Sequence, residues 1–189
     1  MVIFKEKGKE NTKAAAEIAV LRAKELGTDI VLSSGTGSSA EIVLAAAEEL
    51  GYQGHITVVR SVTSAAENGI NRMSPEMRAS LEARGVRIIS AAHALSAGER
   101  GLSTRFKGVY PLEIMANTLR MFGQGMKVCV ECSVMALDGD AVEYKKPIVA
   151  IGGTGRGLDT AVVITPAYSA NILDTVVNEI LCKPGLYEA

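Results

Sequence analysis

Tryptophan is absent from this chain, and its five Tyr and three Phe bring the aromatic share to only 4%. A core of that composition is packed from Val, Ile, Leu, Ala and Met, and a platform for stacking single-stranded bases has too few rings. A positive surplus is lacking as well: 20 Lys and Arg stand against 21 Asp and Glu, for a formal net charge of -1. General nucleic-acid binding through phosphate neutralisation is therefore not expected. No apolar run approaches the roughly 18 residues of a membrane span. Lys5, Lys7 and Lys9 near the start have no apolar segment behind them, which argues against a leader. The expectation is a soluble, cytoplasmic protein with no membrane partner. Three Cys among 189 residues are too sparse, and odd in number, for a disulfide framework. The length fits one domain, 1–189.

Helical and strand patterns alternate along the chain. Ala16, Ala19, Val20, Ala23 and Leu26 recur at three- and four-residue steps, predicting a helix from Asn11 or Thr12 to Leu26 that Gly27 ends. Asp29–Ser33 reads as a strand, Ser34–Ser39 as a loop and Ala40–Leu50 as a helix. His55–Arg60 and Val86–Ser90 read as further strands around a polar stretch, Ser61–Ser74, and a helix, Pro75–Arg84. His93–Phe106, with Gly98 and Gly101, reads as a long loop, and Pro111–Phe122 as a helix with proline in its first turn. Met126–Leu137 is apolar nearly all round; its β-branched residues suit a strand, but twelve residues is long for one, and it is assigned as a buried helix. Pro147–Gly152 and Thr160–Thr165 are joined by too short a link for a parallel crossover, so they are expected to pair antiparallel. Asn171–Leu181 is assigned as a closing helix. Strands alternating with helices imply a three-layer α/β/α architecture.

Two polar clusters interrupt this framework. Ser33-Ser-Gly-Thr-Gly-Ser-Ser39 follows a strand and opens a helix, so backbone amides and hydroxyls converge where an anion can sit; the plainer alternative is a capped turn. It is not a P-loop, since no Gly-Lys-Ser/Thr follows. Its Gly35-x-Gly37 also fits a loose dinucleotide pattern, with Arg60 near the place where an acid is usual. Gly152-Gly-Thr-Gly-Arg-Gly-Leu-Asp-Thr160 offers backbone access, the Arg156 fork for an anion and Asp159 as an acceptor for a sugar hydroxyl; the alternative is a tight hairpin. Both lie at the carboxyl ends of strands, where ligands gather in doubly wound sheets, and the start of the first helix comes to the same end. His93, Ser96, Glu99, Arg100 and Arg105 follow the third strand there, as acid-base groups, a second anion clamp or a lid. Glu131 lies in an apolar run, where a buried carboxylate needs a partner or a raised pKa. Cys129-Val-Glu-Cys132 lacks companions for a tetrahedral site; the thiols are read as core, and no metal site is expected.

Lys9-Glu-Asn-Thr12, Val31-Leu-Ser-Ser-Gly-Thr36, His93-Ala-Leu-Ser96 with Glu99-Arg100, Lys127-Val-Cys-Val-Glu131 and Gly152 through Ile164 together resemble stand-alone archaeal and bacterial proteins related to the pyruvate kinase C-terminal domain. The resemblance spans essentially the whole chain. It implies an α/β/α sandwich with a mixed five-stranded sheet, order 3-2-1-4-5, whose last strand is antiparallel. It also implies that Ser33, Ser34, Gly35, Thr36 and Ser38 grip a phosphate beneath the glycine-rich hairpin. Pyruvate kinase activity itself is not expected, because its barrel alone takes about 250 residues. Stand-alone members are thought to hold flavin mononucleotide (FMN). The chain departs from their pattern at Arg60-Ser-Val-Thr-Ser64 and Asn68-Gly-Ile-Asn71, which bears on contacts to the flavin ring.

The expected ligand-facing set is Asn11, Thr12, Ser33, Ser34, Gly35, Thr36, Gly37, Ser38, Gly152, Gly153, Thr154, Gly155, Arg156, Asp159 and Thr160, with His93 and Glu131 as candidates for chemistry. The expected ligand is FMN or another phosphorylated metabolite, in a homo-oligomer; with a redox-active flavin the protein would be an oxidoreductase. The alternatives are a non-catalytic effector-sensing module and an NADP-type dinucleotide enzyme.

Overall fold

A computed structural model describes residues 1–63 and 69–185; part of the polar stretch Ser61–Ser74 therefore lies outside the described residues. The elements are β1 (Val2–Phe4), α1 (Thr12–Leu26), β2 (Ile30–Ser33), α2 (Ser38–Glu49), β3 (Ile56–Arg60), α3 (Pro75–Ala83), β4 (Arg87–Ser90), α4 (Ala97–Phe106), α5 (Pro111–Arg120), α6 (Gln124–Asp138), β5 (Ile148–Gly152), β6 (Thr160–Thr165) and β7 (Val176–Pro184). They build one mixed sheet of order β1-β7-β6-β5-β2-β3-β4. The strands β5, β2, β3 and β4 are parallel neighbours, and β6 runs antiparallel to β5. This is the expected α/β class and the expected succession of five strands.

The sheet nevertheless has seven strands, not five. A 3-10 turn (Ser169–Asp174) and β7 replace the helix expected over Asn171–Leu181. β7 pairs antiparallel with β6 and parallel with β1. Its pairing with β6 shifts register twice, between Ala161 and Val162 and between Val163 and Ile164. Such bulges break the two-residue alternation that makes a strand legible. A second correction concerns the long loop expected over His93–Phe106: Ala97–Phe106 is helix α4, and none of its residues is buried. A helix that buries no face writes no apolar period into its sequence, and Gly98 and Gly101 further disguise it.

Each central strand alternates between two cores. Ile30 and Leu32 of β2 and Val149 and Ile151 of β5 face α1 and α2, whereas Val31, Ile148 and Ala150 face α5 and α6. The α6 face is unusually close. A Cβ on Gly152 would stand 2.6 Å from the Gly125 carbonyl oxygen, and one on Gly125 would stand 2.1 Å from Thr160 Oγ1. The two glycines let helix backbone rest on strand backbone. Gly125→Ala forces that contact apart and is expected to cost about 1–3 kcal/mol, the range of an overpacked core, read from the urea midpoint at unchanged slope.

Candidate functional site

The carboxyl ends of the parallel strands bring two sequence-distant segments, Gly8–Thr12 and the glycine-rich hairpin, together around one carboxylate. Asp159 is fully buried. Its Oδ2 accepts from Gly8 N (3.0 Å) and Thr154 N (3.2 Å), and its Oδ1 from Thr160 Oγ1 (2.9 Å). Thr12, also buried, accepts from Leu158 N at 3.0 Å. The start of α1 and the glycine-rich hairpin thus meet as expected, but Asp159, Thr160 and Thr12 hold the hairpin instead of facing a ligand. That is a correction: a carboxylate without solvent exposure offers nothing to a sugar hydroxyl. The glycines have internal reasons too, since a Cβ on Gly153 would lie 2.0 Å from Gly157 O, and one on Gly157 2.4 Å from Lys9 Cα. Asn11 gives its side-chain amide to Glu6 O (2.7 Å). Arg156 sits exposed beside Gly155, its guanidinium without a partner among the described residues.

The hydroxyl loop leaves β2 next to this hairpin, because β2 and β5 are paired up to Leu32 and Ile151. Ser33 is half-buried, Ser34 extends the ladder by donating its amide to Val59 O (3.1 Å), and Thr36 and Ser38 are exposed with their hydroxyl oxygens 3.1 Å apart. Gly37 is the residue before α2, and Glu41 is the first to close a helical turn, onto the Gly37 carbonyl (3.1 Å). The amides of Ser38, Ser39 and Ala40 therefore open the helix without acceptors inside it. Gly37 itself faces inward, where a Cβ would meet Met77 Cγ at 2.4 Å. Gly35 lies against Ser61. Arg60, at the end of β3, commits its Nε to Ser90 Oγ (2.5 Å).

Beyond β4 the chain reaches His93, and α6 answers it. Glu131 is 2% exposed, yet its Oε2 meets His93 Nδ1 (3.0 Å) and Lys127 Nζ (2.5 Å), and its Oε1 accepts from Leu95 N (3.1 Å). Burial by itself would raise this carboxyl; the hydrogen bond to His93 and the Lys127 ammonium outweigh it and hold the group down, at about 2. Lys127 is buried as well. It was not among the candidate residues, although the signal existed: a Lys and a Glu one helical turn apart inside an otherwise apolar segment can satisfy each other only by pairing. The imidazole is half exposed.

The remaining candidates fall into other roles. Glu99 Oε2 accepts from Leu112 N (2.9 Å) and Glu113 Oε1 from Ser103 Oγ (2.7 Å), so α4 and the start of α5 hold each other. Glu99 is thus a cap and not part of an anion clamp. Ser96 is buried before α4, while Arg100 and Arg105 lie exposed along it. Burial raises the Cys129 thiol well above its ordinary value and the Cys132 thiol to about 12. Both are core thiols, as expected. Two clefts open at the opposite, amino end of the strands: one of about 510 Å³ beside Tyr52 and Arg84, one of about 420 Å³ beside Tyr144 and Tyr168. His55 borders both, and neither touches the two polar clusters. Among the described residues no helix is long and apolar enough to cross a membrane. No family model matches the chain.

Proposed function

We propose that this chain binds a phosphorylated small molecule at the carboxyl end of its sheet, with the phosphate on Ser34–Ala40 and FMN as the ligand. The observation that carries the reading is the hydroxyl loop running into the unpaired amides of α2, at the point where β2 has β3 on one side and β5 on the other. Backbone amides, two exposed hydroxyls and the positive helix end suit a single phosphate. Arg156 at the exposed hairpin supplies a counter-charge. The resemblance to the proteins related to the pyruvate kinase C-terminal domain favours FMN over other phosphomonoesters. When bound, a flavin supplies electron or hydride transfer.

The visible spectrum of freshly purified protein, with mass spectrometry of whatever denaturation releases, tests the ligand: stoichiometric flavin is expected. Ser38→Asp tests the cradle. A carboxylate in the first turn favours the helix but opposes a phosphate, so FMN affinity is expected to fall about a hundredfold, on the order of one hydrogen bond to a charged group, with the melting temperature unchanged. Unchanged affinity sinks the site.

One observation favours a second reading. Leu102 and Phe106 of α4, Val109, Ile114 of α5, Met121 and Phe122 are all exposed, a concentration of apolar side chains within 21 residues that suits an association surface. A sensor that couples an effector phosphate to self-assembly would use it. Colourless protein whose melting temperature and sedimentation both rise with sugar phosphates is the outcome for that reading.

A further inference from the structure

The group of Lys127, Glu131 and His93 is more than a structural ion pair requires. Lys127 and Glu131 neutralise each other within α6; stability alone would be served as well by two apolar side chains. Instead the carboxylate turns out of the core to hold a half-exposed imidazole and the backbone of the segment that carries it. An ionised carboxylate only accepts hydrogen bonds, so His93 Nδ1 is the donor and carries the hydrogen. In its neutral form the ring then presents a bare lone pair at Nε2, which has no partner among the described residues.

We propose that His93 is a proton-transfer residue of the carboxyl-end crevice, its Nε2 exchanging a proton with a heteroatom of the bound ligand, and that Glu131 and Lys127 are its positioning residues. In the forward step an N–H or O–H bond of the ligand breaks, its electron pair stays on the ligand atom, and an Nε2–H bond forms. The imidazolium so made lies against the Glu131 carboxylate; reversal returns the proton. No other reactant enters. The topology also limits the ligand. β4 lies two strands from β2, about 10 Å across the sheet at the usual strand spacing. The exchanging atom is thus several bonds from the phosphate, as in a nucleotide-sized phosphomonoester and unlike a triose phosphate. This deepens the ligand reading and rests on it for the proton's source, but not for the state of the imidazole.

The test is nitrogen NMR of the full chain labelled in its two histidines, with His93→Gln to assign the signals. At alkaline pH, where the ring is neutral, His93 is expected as the Nδ1–H tautomer. Glu131→Gln is expected to change the tautomer ratio by roughly tenfold or more, the worth of a hydrogen bond to a charged group. If that variant does not fold, Lys127→Met with Glu131→Gln removes the stranded ammonium and serves in its place. Added FMN is expected to move the Nε2 signal, and inorganic phosphate, which fills the cradle only, to leave it. Wild-type His93 as the Nε2–H tautomer overturns the proposal whatever the ligand. So does FMN that binds, by fluorescence quenching, without moving Nε2. If FMN does not bind, the ligand reading falls, and acylation by diethyl pyrocarbonate decides for His93: faster reaction in wild type than in Glu131→Gln upholds it, and equal rates overturn it.

Discussion

Glu131→Ala is expected to lower the unfolding free energy by about 3–5 kcal/mol, because it strands the buried Lys127 ammonium without the one carboxylate it pairs with among the described residues. The pair Lys127→Met with Glu131→Leu is expected to recover most of that loss, since it removes both charges and keeps the volume. Urea denaturation of the three proteins at neutral pH decides. The same carboxylate sets an acid limit. Its folded value, about 2, lies below the ordinary 4.5, so its contribution is complete above about pH 4.5 and disappears as the pH falls towards 2. The urea midpoint of wild type should drop through that window more steeply than that of the doubly apolar variant. Parallel curves would place the acid sensitivity elsewhere.

Asp159→Asn is expected to be nearly as damaging as Asp159→Ala, at about 3 kcal/mol or more. The amide keeps the shape but loses an acceptor, and three donors converge on the site: Gly8 N, Thr154 N and Thr160 Oγ1. A buried donor left unpaired costs about 1–3 kcal/mol. The damage should be localised as well as large. Amides from Gly8 to Asn11 and at Thr154 should exchange faster than those of the β2–β5 ladder. Uniform loss of protection would mean that Asp159 supports the whole sheet instead of its rim.

The elements that read correctly from sequence are those whose burial follows a simple period. Ala15, Ala16, Ala19 and Ala23 are buried on α1 and recur at helical spacing, and the apolar runs of β2, β3 and β5 are covered on both faces, as parallel strands are. α6 was legible by length, although twelve of its residues are buried and give no amphipathic signal. β7 and α4 were not legible for opposite reasons. β7 is an irregularly paired strand whose first four residues are exposed, while α4 is held by side-chain hydrogen bonds that no hydrophobic pattern records. At the candidate site, sequence located the clusters but misassigned atoms within them. Asp159 and Thr12 read as ligand contacts because polar residues near glycines suggest a binding loop; only the fold reveals that each already has a backbone partner. Lys127 gains its role only as the ion-pair partner of Glu131, one helical turn away, which neither residue reveals alone.

The close seating of Gly125 on Gly152 has a mechanical side. Helix α6 touches the sheet backbone to backbone, with no side chain between them to compress or change rotamer, so its first turns move with β5 as one body. α4, by contrast, hangs from Leu112 and Glu113 by two hydrogen bonds, and none of its residues is buried. Glu131 is therefore fixed to the stiffest part of the molecule, whereas α4, beginning just beyond His93, belongs to a part that small forces displace.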